Sequence, residues 1–212
     1  MKQERLYWLF AVHLLMRGCL FSSYIFRSAP AHSLPGAVKR EQFLFIGGIG
    51  MIDLIWRGIL IGIGATVVMD IWAQLLALLP GQSRPKWGLV GRWFWHLRHG
   101  QIFHDDISQS EPCRHEVALG WIGHYAVGIL YGVIFALYGG AAWFANPIFL
   151  PAWIFGILTI AAGWFLLQPG LGIGWAASKL PNAGNVRILN LIAHTFFSLG
   201  MYGTALILLN TV

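Results

Sequence analysis

Four stretches of the chain run apolar for about 20 residues or more, the length that crosses a hydrocarbon core about 30 Å thick at 1.5 Å per residue. They cover residues 54–79, 117–139, 148–167 and 188–209, each bounded by Pro, Gly, Asn or charge. Inside lipid no water meets the backbone, so only helices or a closed barrel satisfy it. A barrel needs apolar and polar residues in alternation, and these stretches have none. The expected fold is therefore all-α: a polytopic helical membrane protein with a four-helix transmembrane core. Composition agrees, since 57% of the residues are hydrophobic and only 10% charged, where a soluble domain is about 25% charged. An ordinary soluble enzyme is excluded.

The first 50 residues are a separate matter. Residues 6–26 form a fifth candidate helix, but they carry His13 and Arg17, and a central Arg costs about 2.5–3.5 kcal/mol on insertion scales. The same segment resembles a secretory signal, with the basic MKQER start, a short apolar core and Ala29-Pro30-Ala31 as an A-x-A site, although Arg17 and Arg27 oppose cleavage there. A third reading starts the protein at Met51, whose following residues begin a helix at once. The domain division is accordingly an amino-terminal extension over 1–50 and a transmembrane domain over 51–212.

Charge sets the orientation. The connector 80–116 holds Arg84, Lys86, Arg92, Arg98 and Arg114, and the connector 169–187 holds Lys179 and Arg187. The connector between the second and third spans has no charge, nor does the tail after Leu209. The positive-inside rule puts both basic connectors in the cytoplasm and both ends of the four-helix core outside. The net charge of +6 is then a topology signal, and nucleic acid is not an expected partner. The lipid bilayer is.

Polar residues gather in one leaflet. Asp70 lies about 13 Å inside the cytoplasmic end of the first span, His124 about 10 Å into the second and His194 about 9 Å into the fourth, each counted at 1.5 Å per residue. Gln168 ends the third span on the same side, with Glu116 and Asn190 at the rim. Every fourth residue shares a helix face, and Gly58, Gly62, Thr66 and Asp70 follow that stride, as do Glu116, Gly120, His124, Gly128 and Gly132, and Asn190, His194, Ser198 and Tyr202. Small residues on such faces let helices approach closely.

An ionisable residue in the membrane is a functional candidate by default. Asp70, Glu116, His124, Gln168, Asn190 and His194 form the expected polar pocket. Three uses of it compete. A carboxylate–imidazole relay handles a proton or cation in a small transport or permeation protein, because His titrates near neutral pH. A metal or haem held between His124 and His194 makes a redox or enzyme subunit. Polar faces that only hold helices to each other, to a second copy or to a membrane partner make an accessory subunit. No H-E-x-x-H, H-x-x-E-H or C-x-x-C-H spacing supports the second use. No inverted repeat relates the helix pairs, which removes the usual pointer to an alternating-access carrier. The residues name no cofactor and no catalytic group, and a non-enzymatic role is favoured.

Two connector features need a reading. Arg92-Trp93-Phe94-Trp95-His96 reads as an interfacial, lipid-facing anchor, and the scattered His96, His99, His104 and His115 make a poor metal site. Gly170-Leu171-Gly172-Ile173-Gly174, followed by Ser178 and Lys179, superficially suggests a phosphate cradle, but no strand or βαβ unit surrounds it. Its glycines instead break the helix after Pro169 and fold the chain back, with Ser178, Lys179 and Asn182 at the pocket rim. Cys19 and Cys113 sit in no metal-ligand spacing.

From Leu54 to about Leu208 the chain resembles a bacterial inner-membrane family known as domain of unknown function 2938. The resemblance rests on GATVVMD ending at Asp70, VGRW at 90–93, GWIGHYAVG around His124, PAWIFG from Pro151, LQPGLGIGWAASKLPN from Leu167 and HTFFSLGMYG from His194. It implies a multi-span protein of the bacterial inner membrane and supplies no reaction, ligand or catalytic residue. Members typically start near the position of Met51.

Overall fold

Glycine positions decide how this chain folds, because they set which helices touch backbone to backbone. The computed structural model describes residues 45–46, 49–82 and 84–209. The chain divides into two units, 1–45 and 46–212, and every helix below belongs to the second. The candidate helix at 6–26 and the signal-like segment lie outside the described residues. Apart from two-residue extended segments at Phe45–Ile46 and Ile49–Gly50, each regular element among the described residues is helical.

Four helices are long and apolar enough to cross a membrane: α1 (Met51–Leu76), α3 (Glu116–Ala145), α4 (Phe149–Gly170) and α5 (Ala183–Leu209). A shorter helix, α2 (Trp87–Leu97), lies in the connector between α1 and α3. The polytopic all-α class expected from the apolar stretches is the one observed. Boundaries shift from expectation in each span: α1 begins and ends three residues earlier, and α5 begins five residues earlier, at Ala183. α3 runs past Gly139 because AAWFA resumes the helix after a break at Gly140, where φ is 61°, a conformation glycine adopts without steric cost. α4 is interrupted by a π-turn at Gly163–Leu167 before its last residues Gln168–Gly170. Such turns insert one residue into the ladder and often occur at functional sites.

Three of the four seams between spanning helices are closed by glycine. Between α1 and α3, a Cβ at Gly58 would lie 2.6 Å from Val133 Cα, and one at Gly62 2.6 Å from the Gly128 carbonyl oxygen. Between α1 and α5, a Cβ at Gly200 would lie 2.6 Å from Ala65 Cα, and Gly64 faces the Thr204 hydroxyl. Between α4 and α5, Gly156 faces Ser198 and the His194 carbonyl. The fourth seam differs: α3 and α4 scarcely approach through their backbones, and rings fill the space. Phe135 lies 5.2 Å from Phe155, and Tyr131 lies 6.4 Å from Phe155 and 6.5 Å from Phe197, centroid to centroid. These rings join Ile61, Ala65 and Met201 in the apolar core.

The connector is packed onto the bundle. A side chain at Gly91 of α2 would run into the backbone of Glu116 and Gly120. Arg92 and Trp93 are buried, which corrects the reading of this segment as a lipid-facing anchor. Its outer side fits that description better: the Arg98 guanidinium lies 3.3 Å above the Trp95 ring. His104 ties the connector to the end of α4, with Nδ1 2.8 Å from the Gly170 carbonyl oxygen and Nε2 2.8 Å from His96 Nδ1.

Candidate functional site

The i, i+4 stride along α1 and α3 carries the close glycine contact toward the basic connectors and ends at two ionisable groups. His124 Nε2 donates to Asp70 Oδ1 at 3.0 Å. The pair is largely buried, with 17% of the His124 side chain and 15% of the Asp70 side chain exposed. Asp70 Oδ2 is buried without a hydrogen-bond partner. The Tyr125 phenol lies within electrostatic range of the carboxylate.

Aromatic rings enclose the imidazole. The Trp87 indole stacks over His124 with centroids 4.2 Å apart, Tyr125 meets it edge-on at 5.7 Å, and Trp121 stands at 6.1 Å. Trp87 reaches that position because α2 crosses α3 at Gly91 and Gly120, where any side chain would strike backbone. The imidazole thus meets aromatic faces on one side and the Asp70 carboxylate on the other.

His194 sits across the bundle in a separate cluster. Its Nδ1 lies 3.0 Å from the Gly156 carbonyl oxygen and 3.0 Å from Thr159 Oγ1. The Thr159 hydroxyl itself donates to Gly156 O at 2.6 Å, so the ring nitrogen is the donor to the carbonyl. His194 lies within electrostatic range of His124, and no hydrogen bond joins the two rings. One turn nearer the basic connectors, Asn190 Oδ1 accepts from Trp164 Nε1 at 2.9 Å and from Gln168 Nε2 at 3.0 Å. The π-turn of α4 contains Trp164 and delivers Gln168 to this contact. Gln168 Oε1 is buried without a partner.

The expected pocket residues therefore fall into three sets. Asp70 and His124 form one pair and Gln168 and Asn190 another, with His194 beside the latter on α5. Glu116 is elsewhere: its carboxylate takes Arg92 Nε at 2.9 Å and Nη2 at 3.2 Å. Arg92 Nη1 also donates to the carbonyls of Ile107, Ser108 and Ser110, which makes Glu116 part of a staple holding the connector. Ser178 and Lys179 are exposed in the loop after α4. That loop does fold back: Lys179 N–H donates to Ile173 O, and Arg187 Nε donates to Ala176 O.

Sequence reasoning overlooked Trp87, Thr159 and Trp164, and it read Arg92 as part of a lipid-facing anchor rather than as the partner of Glu116. Neither Thr159 nor Trp164 carries a charge; Trp164 stands out only through its fourth-residue spacing from Gln168, and Thr159 lies off that stride. Sequence reasoning also overlooked Arg57 in the first turns of α1, which is tolerated there because Asp53 accepts its Nε at 2.7 Å and Phe144 lies under the guanidinium. Among the described residues, no three His, Cys, Asp or Glu side chains converge as metal ligands do. His124 and His194 each have one ring nitrogen engaged by a protein acceptor.

No curated protein and no solved structure matches the chain. A family model does match, over residues 59–208, a stretch that contains Asp70, His124, the α4 π-turn and His194. The chain belongs to the family described as Protein of unknown function (DUF2938).

Proposed function

We propose that this chain is a small membrane permeation protein that moves a proton or small cation through a polar site in the leaflet of its basic connectors. The observation that carries the reading is the Asp70–His124 pair: a carboxylate and an imidazole in hydrogen-bond contact, contributed by two spanning helices, with Asp70 Oδ2 buried and unpartnered. Ionisable groups at such depth are costly and cluster on ion and proton pathways. An imidazole whose ordinary titration falls near neutral pH gains or loses one proton in the physiological range, and the carboxylate beside it balances the charge. His194, Asn190 and Gln168 supply further polar steps on the opposite wall. The positive-inside rule supports a cytoplasmic position for this end, and a bacterial inner membrane is the location we propose.

The test is proton or cation flux into liposomes reconstituted with the purified chain, read with an internal pH dye under an imposed potassium diffusion potential. Wild-type protein is expected to carry flux. Asp70→Asn and His194→Ala are expected to abolish it while still inserting and eluting as a single species. Full flux in both variants removes the reading.

A further inference from the structure

Three observations converge on the half of the bundle away from the basic connectors. First, the seams α1–α3 and α1–α5 are closed there by backbone contact, since Cβ atoms at Gly58, Gly62 and Gly200 would strike neighbouring helices, and the α4–α5 seam is closed by Gly156 against the Ser198 side chain. A backbone seam cannot admit a solute without separating two helices. Second, the α3–α4 seam is closed by side chains: Tyr131, Phe135 and Phe155, with Phe197 of α5 meeting Tyr131 edge-on at an interplanar angle of 86°. Side chains hop between rotamers far more readily than helices part. Third, the polar cluster on α4 and α5 abuts this layer, because His194 lies 6.2 Å from the Phe197 ring and Thr159 stands one turn from Phe155; the charges beyond it, Asp53 and Arg57, are paired with each other.

We propose that Tyr131, Phe155 and Phe197 form the barrier of the permeation route, so that the polar site opens toward the basic connectors and is closed from the opposite end, along the α3–α4 seam, by these rings. This rests on the proposed permeation function. The size of these three side chains then determines what passes: a species crosses only by displacing a ring into the α3–α4 seam. The ring faces favour a cation over an anion, and their close packing disfavours bulky polar solutes, which leaves a proton or a small cation as the class.

The test reads access directly and needs no transport. His194→Cys, in a chain whose Cys19 and Cys113 are replaced by Ser, is treated in oriented vesicles with a small membrane-impermeant thiol reagent from either side. With the rings intact, labelling is expected from the basic end only. With Phe155→Ala, labelling from the opposite end is expected to rise about tenfold, because a large-to-small change at a packed ring leaves a cavity. Phe155→Leu serves as a milder second variant if Phe155→Ala fails to insert. Labelling from the opposite end with the rings intact, no labelling from either side, or no gain in either Phe155 variant overturns the barrier. Flux in liposomes is measured separately: access gated by Phe155 without any flux removes the permeation function and leaves the barrier standing. Flux that is insensitive to Phe155 does the reverse.

Discussion

Asp70 is stable inside a spanning helix only because other groups meet it. One carboxylate oxygen takes the His124 N–H at 3.0 Å, and the other takes nothing from the protein. Removing one partner of a largely buried pair strands the other, at a cost of about 1–3 kcal/mol for a group left this partly exposed. His124→Ala is therefore expected to destabilise the chain by about 2 kcal/mol, measured by denaturant unfolding in detergent. Asp70→Asn is expected to cost less, because an amide accepts the same bond without a charge. The double variant Asp70→Asn/His124→Ala is expected to be more stable than the sum of the single changes by about 1 kcal/mol, the coupling that a double-mutant cycle measures for contacting residues. Strict additivity would show that the 3.0 Å contact contributes nothing. At this scale the sequence was informative about Asp70, His124 and His194, because charge and imidazole stand out in an apolar run. It was silent about Thr159 and Trp87, whose roles come from which neighbour they touch.

The spanning helices were legible because bilayer thickness sets a length that any reader can count. α2 was not. Its 11 residues mix Arg, Trp and Gly, and its position comes from tertiary contact: Gly91 against Glu116 and Gly120, and Arg92 reaching Glu116 and three connector carbonyls. Arg92→Ala removes every Arg92 bond at once and leaves the Gly91 contact, so it is expected to cost about 2–3 kcal/mol, the range for breaking one side of a buried charge pair after allowing for the partial exposure of Glu116. Arg92→Lys is expected to rescue only part, since a point charge cannot span both carboxylate oxygens. Limited proteolysis of the connector reads both variants, and unchanged cleavage in Arg92→Ala would exclude the staple. The connector also holds a local pH response. The Ser108 hydroxyl and backbone N–H hold the exposed Asp106 carboxyl below its ordinary value, and its Oδ1 caps the short helix Ile107–Gln109. A depressed carboxyl contributes above its unfolded value, and the contribution is lost as pH falls through the folded one. Amide exchange at Ser108 is expected to quicken only below about pH 4, the ordinary Asp range.

At the scale of the whole molecule, charge and polarity point the same way along the bundle axis. The basic connectors flank the end where Asp70, His124, Asn190 and Gln168 lie, and the other end is closed by rings and carries Arg57 only as a partner of Asp53. An exposed guanidinium outside the cytoplasm would oppose the positive-inside rule, but Arg57 is neutralised within its own helix, so it adds little to the bias from Arg84, Lys86, Arg98, Arg114 and Lys179. The bundle is thus expected to insert with its basic connectors in the cytoplasm. Fusing a reporter that is active only on the non-cytoplasmic side of the membrane at Asn146, between α3 and α4, is expected to give activity, and the same reporter after Arg84 none. A reporter that fluoresces only in the cytoplasm is expected to give the opposite pattern. The reversed result would put the polar leaflet outside, and the Asp70–His124 pair would then exchange protons with the external medium. Replacing Arg84, Lys86, Arg98 and Arg114 with Gln together is expected to produce a mixture of both orientations, because the loop charges near span ends supply the bias. Arg92 is left in place in that variant, since its charge is committed to Glu116 and its loss would confound orientation with folding.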